Sequence, residues 1–156
     1  MRMVLFLAPF VLFLGALFVG AYQFLWDPYT VTSEYWTYEN AVADDLFERG
    51  WLPDFIPASA TRIVTVNNLD LNMSHGEFHY DPDDTAAFLA RLRPLQSDEA
   101  QSVVDPERAA ELAANGYRAW EFAYTGSAWE HGNTGSVWVF FIREGGGHVF
   151  YEMGPR

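Results

Sequence analysis

His75, Glu77, His79 and Asp81 stand at alternate positions and form the densest set of chemically capable side chains in this 156-residue sequence. In an extended strand they point to one face, while Phe78 and Tyr80 point to the other. Imidazoles beside carboxylates suit Zn²⁺. A single site is opposed by geometry: at about 3.3 Å per residue, His75 and His79 lie roughly 13 Å apart. Zinc–nitrogen bonds of about 2 Å cannot span that gap without a fold-back. A metal site would instead pair Glu77 with His79 and recruit His131 or His148 from another strand. The competing reading is a solvated strand face, and no metal or other cofactor is expected.

Other chemistries find less support. Asp81 to Asp84 superficially resembles a calcium loop, but Ala86 stands where glycine is needed and Leu92 where glutamate is needed. Ser127 and Ser136 follow glycines, yet neither lies in a G-x-S-x-G elbow. With no Lys, a Schiff-base lysine, a Ser–Lys dyad and a Walker lysine are all excluded. With no Cys, so are thiol chemistry, a disulfide scaffold and an acylated form. A net charge of −12 repels phosphate backbones, so nucleic acid is not an expected partner. Paired carboxylates for glycoside cleavage carry no signal, because 21 acids always offer pairs. Exposed aromatics could stack on sugar rings, and Trp129, Trp138 and Trp51 are the candidates.

The first 26 residues decide where the remainder must work. Val4 to Ala21 reads VLFLAPFVLFLGALFVGA, without a charge. A helix of that length crosses an apolar bilayer core of about 30 Å. Arg2 precedes the run, and no basic residue follows it until Arg49, so the N-terminus is expected in the cytoplasm and the head outside. Tyr22, Trp26 and Tyr29 suit the membrane–water boundary. The alternative is secretion after cleavage following Ala21.

Residues 1–26 are therefore read as a transmembrane signal-anchor, 27–36 as a tether and 37–156 as one extracytoplasmic head. Thr37 can cap a helix over Tyr38–Arg49, which Gly50 would stop. Pro53 and Pro57 hold the next stretch extended, with Trp51, Leu52, Phe55 and Ile56 either buried under the first helix or exposed as a docking lip for a partner. Strands are expected at Thr61–Val66 and His75–Tyr80. Asp81-Pro82 and Asp105-Pro106 each open a further helix. An antiparallel meander, Tyr117–Thr125, Ser136–Arg143 and His148–Met153, turns at Gly145-Gly146-Gly147. The expected class is α+β: a single N-terminal transmembrane helix, then a small head with an antiparallel sheet of about five strands and three short helices.

Gly50-Trp51-Leu52-Pro53, Ile56-Pro57 and Ser59-Ala60, a GWLPxxIPxSA motif, are followed by Ile63, Asn68-Leu69-Asp70 and Phe78. This pattern, over roughly Asp45 to Leu92, resembles the YbbD head domain family of bacterial envelope proteins, which join an anchor or lipid site to a small head. The chain departs from lipid-anchored members by lacking Cys. The resemblance implies location and carries no activity. The function expected is a non-enzymatic interaction module of the bacterial cell envelope, bound to the cytoplasmic membrane through residues 3–26 and engaging an envelope protein partner. A small-ligand, glycan or peptidoglycan-binding head is the alternative, and a hydrolase the third reading.

Overall fold

Side-chain caps start three helical segments of the head. Thr37 Oγ1 accepts from Asn40 N–H at 3.3 Å, Asp81 Oδ1 from Asp83 at 3.0 Å, and Asp105 Oδ1 from Arg108 at 2.9 Å. The computed structural model describes residues 29–96, 99–100, 104–124, 135–143 and 145–155. In chain order its elements are β1 (Thr30–Thr37), α1 (Tyr38–Ala43), β2 (Thr61–Asn68), β3 (Met73–His79), a 3₁₀ turn (Pro82–Asp84), α2 (Thr85–Leu89), β4 (Arg93–Pro94), α3 (Pro106–Ala114), β5 (Arg118–Tyr124), β6 (Ser136–Ile142) and β7 (His148–Pro155). From Val31 onward the head is one compact unit.

The strands form one sheet in the order β1-β2-β3-β7-β6-β5-β4. From β2 through β4 every neighbouring pair is antiparallel. The β2–β3 register slips between Thr61 and Val64, where Arg62 takes a φ of 50°, a bulge at the start of the hairpin. In β2 the alternation is plain: Ile63, Thr65 and Asn67 are buried, while Val64 and Val66 are half-buried. All seven residues of β6 are buried, because Trp138, Phe140 and Ile142 enter one core and Val137, Val139 and Phe141 the other.

Each face of the sheet has its own core. On one face Ala41, Leu46, Leu52, Ile56 and Phe88 pack against Ile63, Phe78, Phe140 and Tyr151. On the other, Val104, Ala109 and Leu112 pack against Val137, Val139 and Phe141. Asn67 Oδ1, Ser74 Oγ and the Tyr151 hydroxyl are buried and complete no hydrogen bond. Burial pushes the Tyr151 phenol far above its ordinary value, with the nearby Ser74 hydroxyl opposing.

Several expectations are corrected. The sheet has seven strands, not about five, because β1 and β4 join its two edges. Residues read as a tether form most of β1, whose Tyr35 enters the core. The first helix stops at Ala43 rather than Arg49: Asp45 adopts a φ of 57°, which ends the helix and lets Leu46 drop into the core. The second helical segment is a 3₁₀ turn running into five α-helical residues. Among the described residues no helix is long and apolar enough to cross a membrane. The expected anchor, residues 1–26, lies outside the described residues.

Candidate functional site

The lip read as a docking surface is mostly interior. Leu52 is fully buried and Ile56 nearly so, and both belong to the main core. Trp51 and Phe55 are half-buried beside them, and each is covered by a guanidinium. Arg49 lies 4.9 Å over Trp51, and Arg91 lies 5.0 Å over Phe55. The Phe55 edge meets Phe122 at 4.5 Å between ring centroids. The two prolines thus hold a crossing segment whose apolar side chains pin α1 to the sheet. Leu52 and Ile56 are therefore core residues, while Trp51 and Phe55 keep part of their surface exposed.

The same segment forms one wall of a cleft of about 700 Å³. Tyr38 and Phe47 stack at 4.8 Å on one side, and Phe122 and Trp138 stand at the sheet end. Asp45, Glu48 and Asp54 stand on the rim, and among the described residues the only basic one lining it is Arg49. The Arg49 guanidinium is already engaged, 3.0 Å from the Asp44 carboxylate and donating to the Asp44 carbonyl. Tyr38 donates its hydroxyl to the Asp54 carbonyl at 2.9 Å, and burial with the Asp54 charge keeps that phenol neutral by raising its pKa. Asn72 donates to Ser136 Oγ at 3.3 Å across the far end. Aromatic walls under uncompensated carboxylates favour a cation with an apolar body.

Trp138 is not an exposed sugar platform. It is 5% exposed, and its ring packs 6.0 Å from Phe122. Trp129 lies outside the described residues, as does His131.

Of the metal candidates, Glu77, His79 and His148 come together where β3 meets β7. His79 and His148 are register partners, and their rings stack at 4.4 Å with 13° between planes. Ring nitrogens in parallel stacked planes do not converge on one ion. Glu77 Oε2 instead approaches His148 Nε2 at 3.4 Å, and Tyr117 Oη meets His148 Nδ1 at 3.1 Å. His75 faces Glu152 further along the strands and is exposed. Among the described residues no three His, Asp or Glu side chains are grouped to hold a metal ion. The chain Tyr117–His148–Glu77 contains no serine, so a Ser–His–acid triad does not arise there.

This cluster gives the head a pH-dependent stability. His148 is held below the ordinary imidazole value, chiefly by burial, then by His79; Glu77 opposes, and Arg143 adds to the lowering. As pH falls through about 6.5, the unfolded chain takes up a proton that folded His148 refuses. Its contribution is therefore present above that value and lost below it. Glu152 works in the opposite sense, since burial raises its carboxyl, with Arg108 opposing. Thermal unfolding of wild type and His148→Gln at pH 7.5 and 5.5 isolates the histidine: the variant should lose less stability on acidification. Equal losses would contradict this assignment.

Sequence reasoning missed Tyr38, Phe47 and Phe122 as cleft walls. Tyr38 and Phe47 lie at either end of the expected first helix, and only the break at Asp45 folds them onto each other. Neither a curated protein nor a solved structure matches this chain. The family comparison does find a match, over roughly a third of the chain, beginning at β1 and running through α1 and the crossing segment to the end of β3. From residue 30 to residue 79 the sequence matches the family model of the YbbD head domain.

Proposed function

We propose that this chain is a non-enzymatic interaction module of the bacterial cell envelope. Residues 3–26 hold it at the cytoplasmic membrane, N-terminus inside, and the head works outside. The uncharged run Val4–Ala21, Arg2 before it and the acidic flank after it support that placement. The head receives a cationic segment of an envelope protein in the cleft between α1, the crossing segment and the ends of β5 and β6. One observation carries this reading: a cleft of about 700 Å³ walled by Tyr38, Phe47, Phe122 and Trp138, with Asp45, Glu48 and Asp54 at its rim. A concave aromatic site with a few placed polar groups is what a binding site needs. A glycan-binding head is the second reading, favoured by the stacked Tyr38–Phe47 pair.

The test is in-cell crosslinking of the full-length protein, recovered through a C-terminal tag and identified by mass spectrometry. A single envelope protein should be captured from wild type and lost from Glu48→Lys/Asp54→Lys. Both positions are exposed and neither takes the left-handed backbone conformation of Asp45, so the double variant keeps its fold. Rim charges act mainly on association, so capture should fall about tenfold or more at low ionic strength. Capture unchanged by charge reversal would remove the cleft from the account, and capture of glycan fragments alone would favour the second reading.

A further inference from the structure

The two edges of the sheet are built differently. β4 closes one edge with two residues, one of them Pro94, and the Arg93 guanidinium is tied to Glu121 and Glu99. A short strand with a proline and engaged charge is a blunted edge. β1 closes the other with eight residues, TVTSEYWT, that include no proline and a single charge, Glu34. Among the described residues no strand lies beyond it. Trp36, 77% exposed, stands on its outer face. A long, nearly uncharged edge can take another strand along residues 31–37.

We infer that β1 pairs edge to edge with β1 of a second copy, antiparallel, about a two-fold axis at Ser33. The register follows from the strand's own pattern. Val31, Ser33 and Tyr35 face the core side, whereas Thr32, Glu34 and Trp36 are exposed. A two-fold axis normal to the sheet keeps inner residues opposite inner ones, so facing positions must share parity. Centring on Glu34 would set like charges directly opposite, which is unfavourable. Centring on Ser33 places Ser33 opposite Ser33, Val31 opposite Tyr35 and Thr32 opposite Glu34. The Val31–Tyr35 pairs then extend the main core across the junction, and each Glu34 meets a hydroxyl.

The absence of native cysteine makes the register directly readable. Directly opposed strand residues lie within disulfide reach, with Cα atoms about 4.5–5.5 Å apart, whereas diagonal neighbours lie about 7–8 Å apart. Full-length Ser33→Cys, in mild detergent with copper–phenanthroline, should become mainly a disulfide-linked dimer on a non-reducing gel. Glu34→Cys and Thr32→Cys alone should remain monomeric, yet their mixture should yield the linked heterodimer. The mixed pair uses two exposed positions, so its outcome does not depend on a core substitution. Efficient linking of Glu34→Cys to itself would overturn the register. Absence of linking from both Ser33→Cys and the mixture would overturn the interface.

Discussion

Gly76→Ala should abolish cooperative folding of the head, or lower its stability by more than about 3 kcal/mol. Gly76 sits in the middle of β3, opposite Thr65 of β2 and Tyr151 of β7. A Cβ there would collide with the Val64 carbonyl oxygen and lie 3.0 Å from both the ring edge and the hydroxyl of Tyr151. The first contact is with backbone, so no side-chain rotation relieves it. Either β2 leaves β3 or the strand buckles, and each outcome also exposes the core beneath Phe78. Native stabilities of about 5–15 kcal/mol leave little to absorb such a loss. Gly154→Ala is the control, since nothing lies within 4 Å of its would-be Cβ. Thermal unfolding of the two variants should differ sharply, and a Gly76→Ala melt equal to wild type would contradict the β2–β3 packing.

Phe140→Ala should cost about 3–5 kcal/mol, the range for removing a buried aromatic ring. Phe140 is fully buried at the centre of β6. Its ring lies 5.4 Å from Phe88, 6.1 Å from Tyr151 and 6.3 Å from Phe55. These neighbours come from α2, β7 and the crossing segment, so the cavity would open where three parts of the chain meet. Phe140→Leu refills much of that space and should cost clearly less. In urea the alanine variant should show a lower midpoint with an unchanged slope. A midpoint near wild type would mean that the crossing segment does not seal this core.

The strands of the meander are readable locally because their apolar residues alternate or run continuously between glycine-rich turns. The unbroken apolar run Val137 to Ile142 is by itself the pattern of a strand covered on both sides. β1 and β4 were not readable in that way. Thr30–Thr37 follows an Asp-Pro pair and is rich in Thr and Ser, which describes a linker until β2 lies beside it. Arg93–Pro94 becomes a strand only through its register with Trp120 and Glu121. Arg49-Gly50 is a good helix stop, so Asp44-Asp45, a weaker signal of the same kind, went unread. The GWLPxxIPxSA stretch showed that large apolar groups must be covered, but not which of them would be.

The candidate sites depend still more on distance along the chain. His79 and His148 stack because the β3–β7 register sets them opposite, a fact no spacing in either strand contains. The cleft joins Tyr38 and Phe47 to Phe122 and Trp138, from opposite ends of the head sequence. Its acidic rim is visible in the sequence only as net charge, which does not say where the carboxylates gather. What the local pattern did supply was the segment that positions these groups: two prolines, buried Leu52 and Ile56, and a glycine at the close of the preceding turn.

We propose the cleft as the place where this head meets its partner. Its most direct measurement is photocrosslinking in cells from a benzophenone side chain placed at Phe47, inside the cleft, and at Glu107, exposed on α3. One discrete adduct is expected from Phe47, mapped by mass spectrometry to a basic segment of an envelope protein, and no such adduct from Glu107. An adduct pattern identical at the two positions, or none from Phe47 while the protein remains folded, would contradict it.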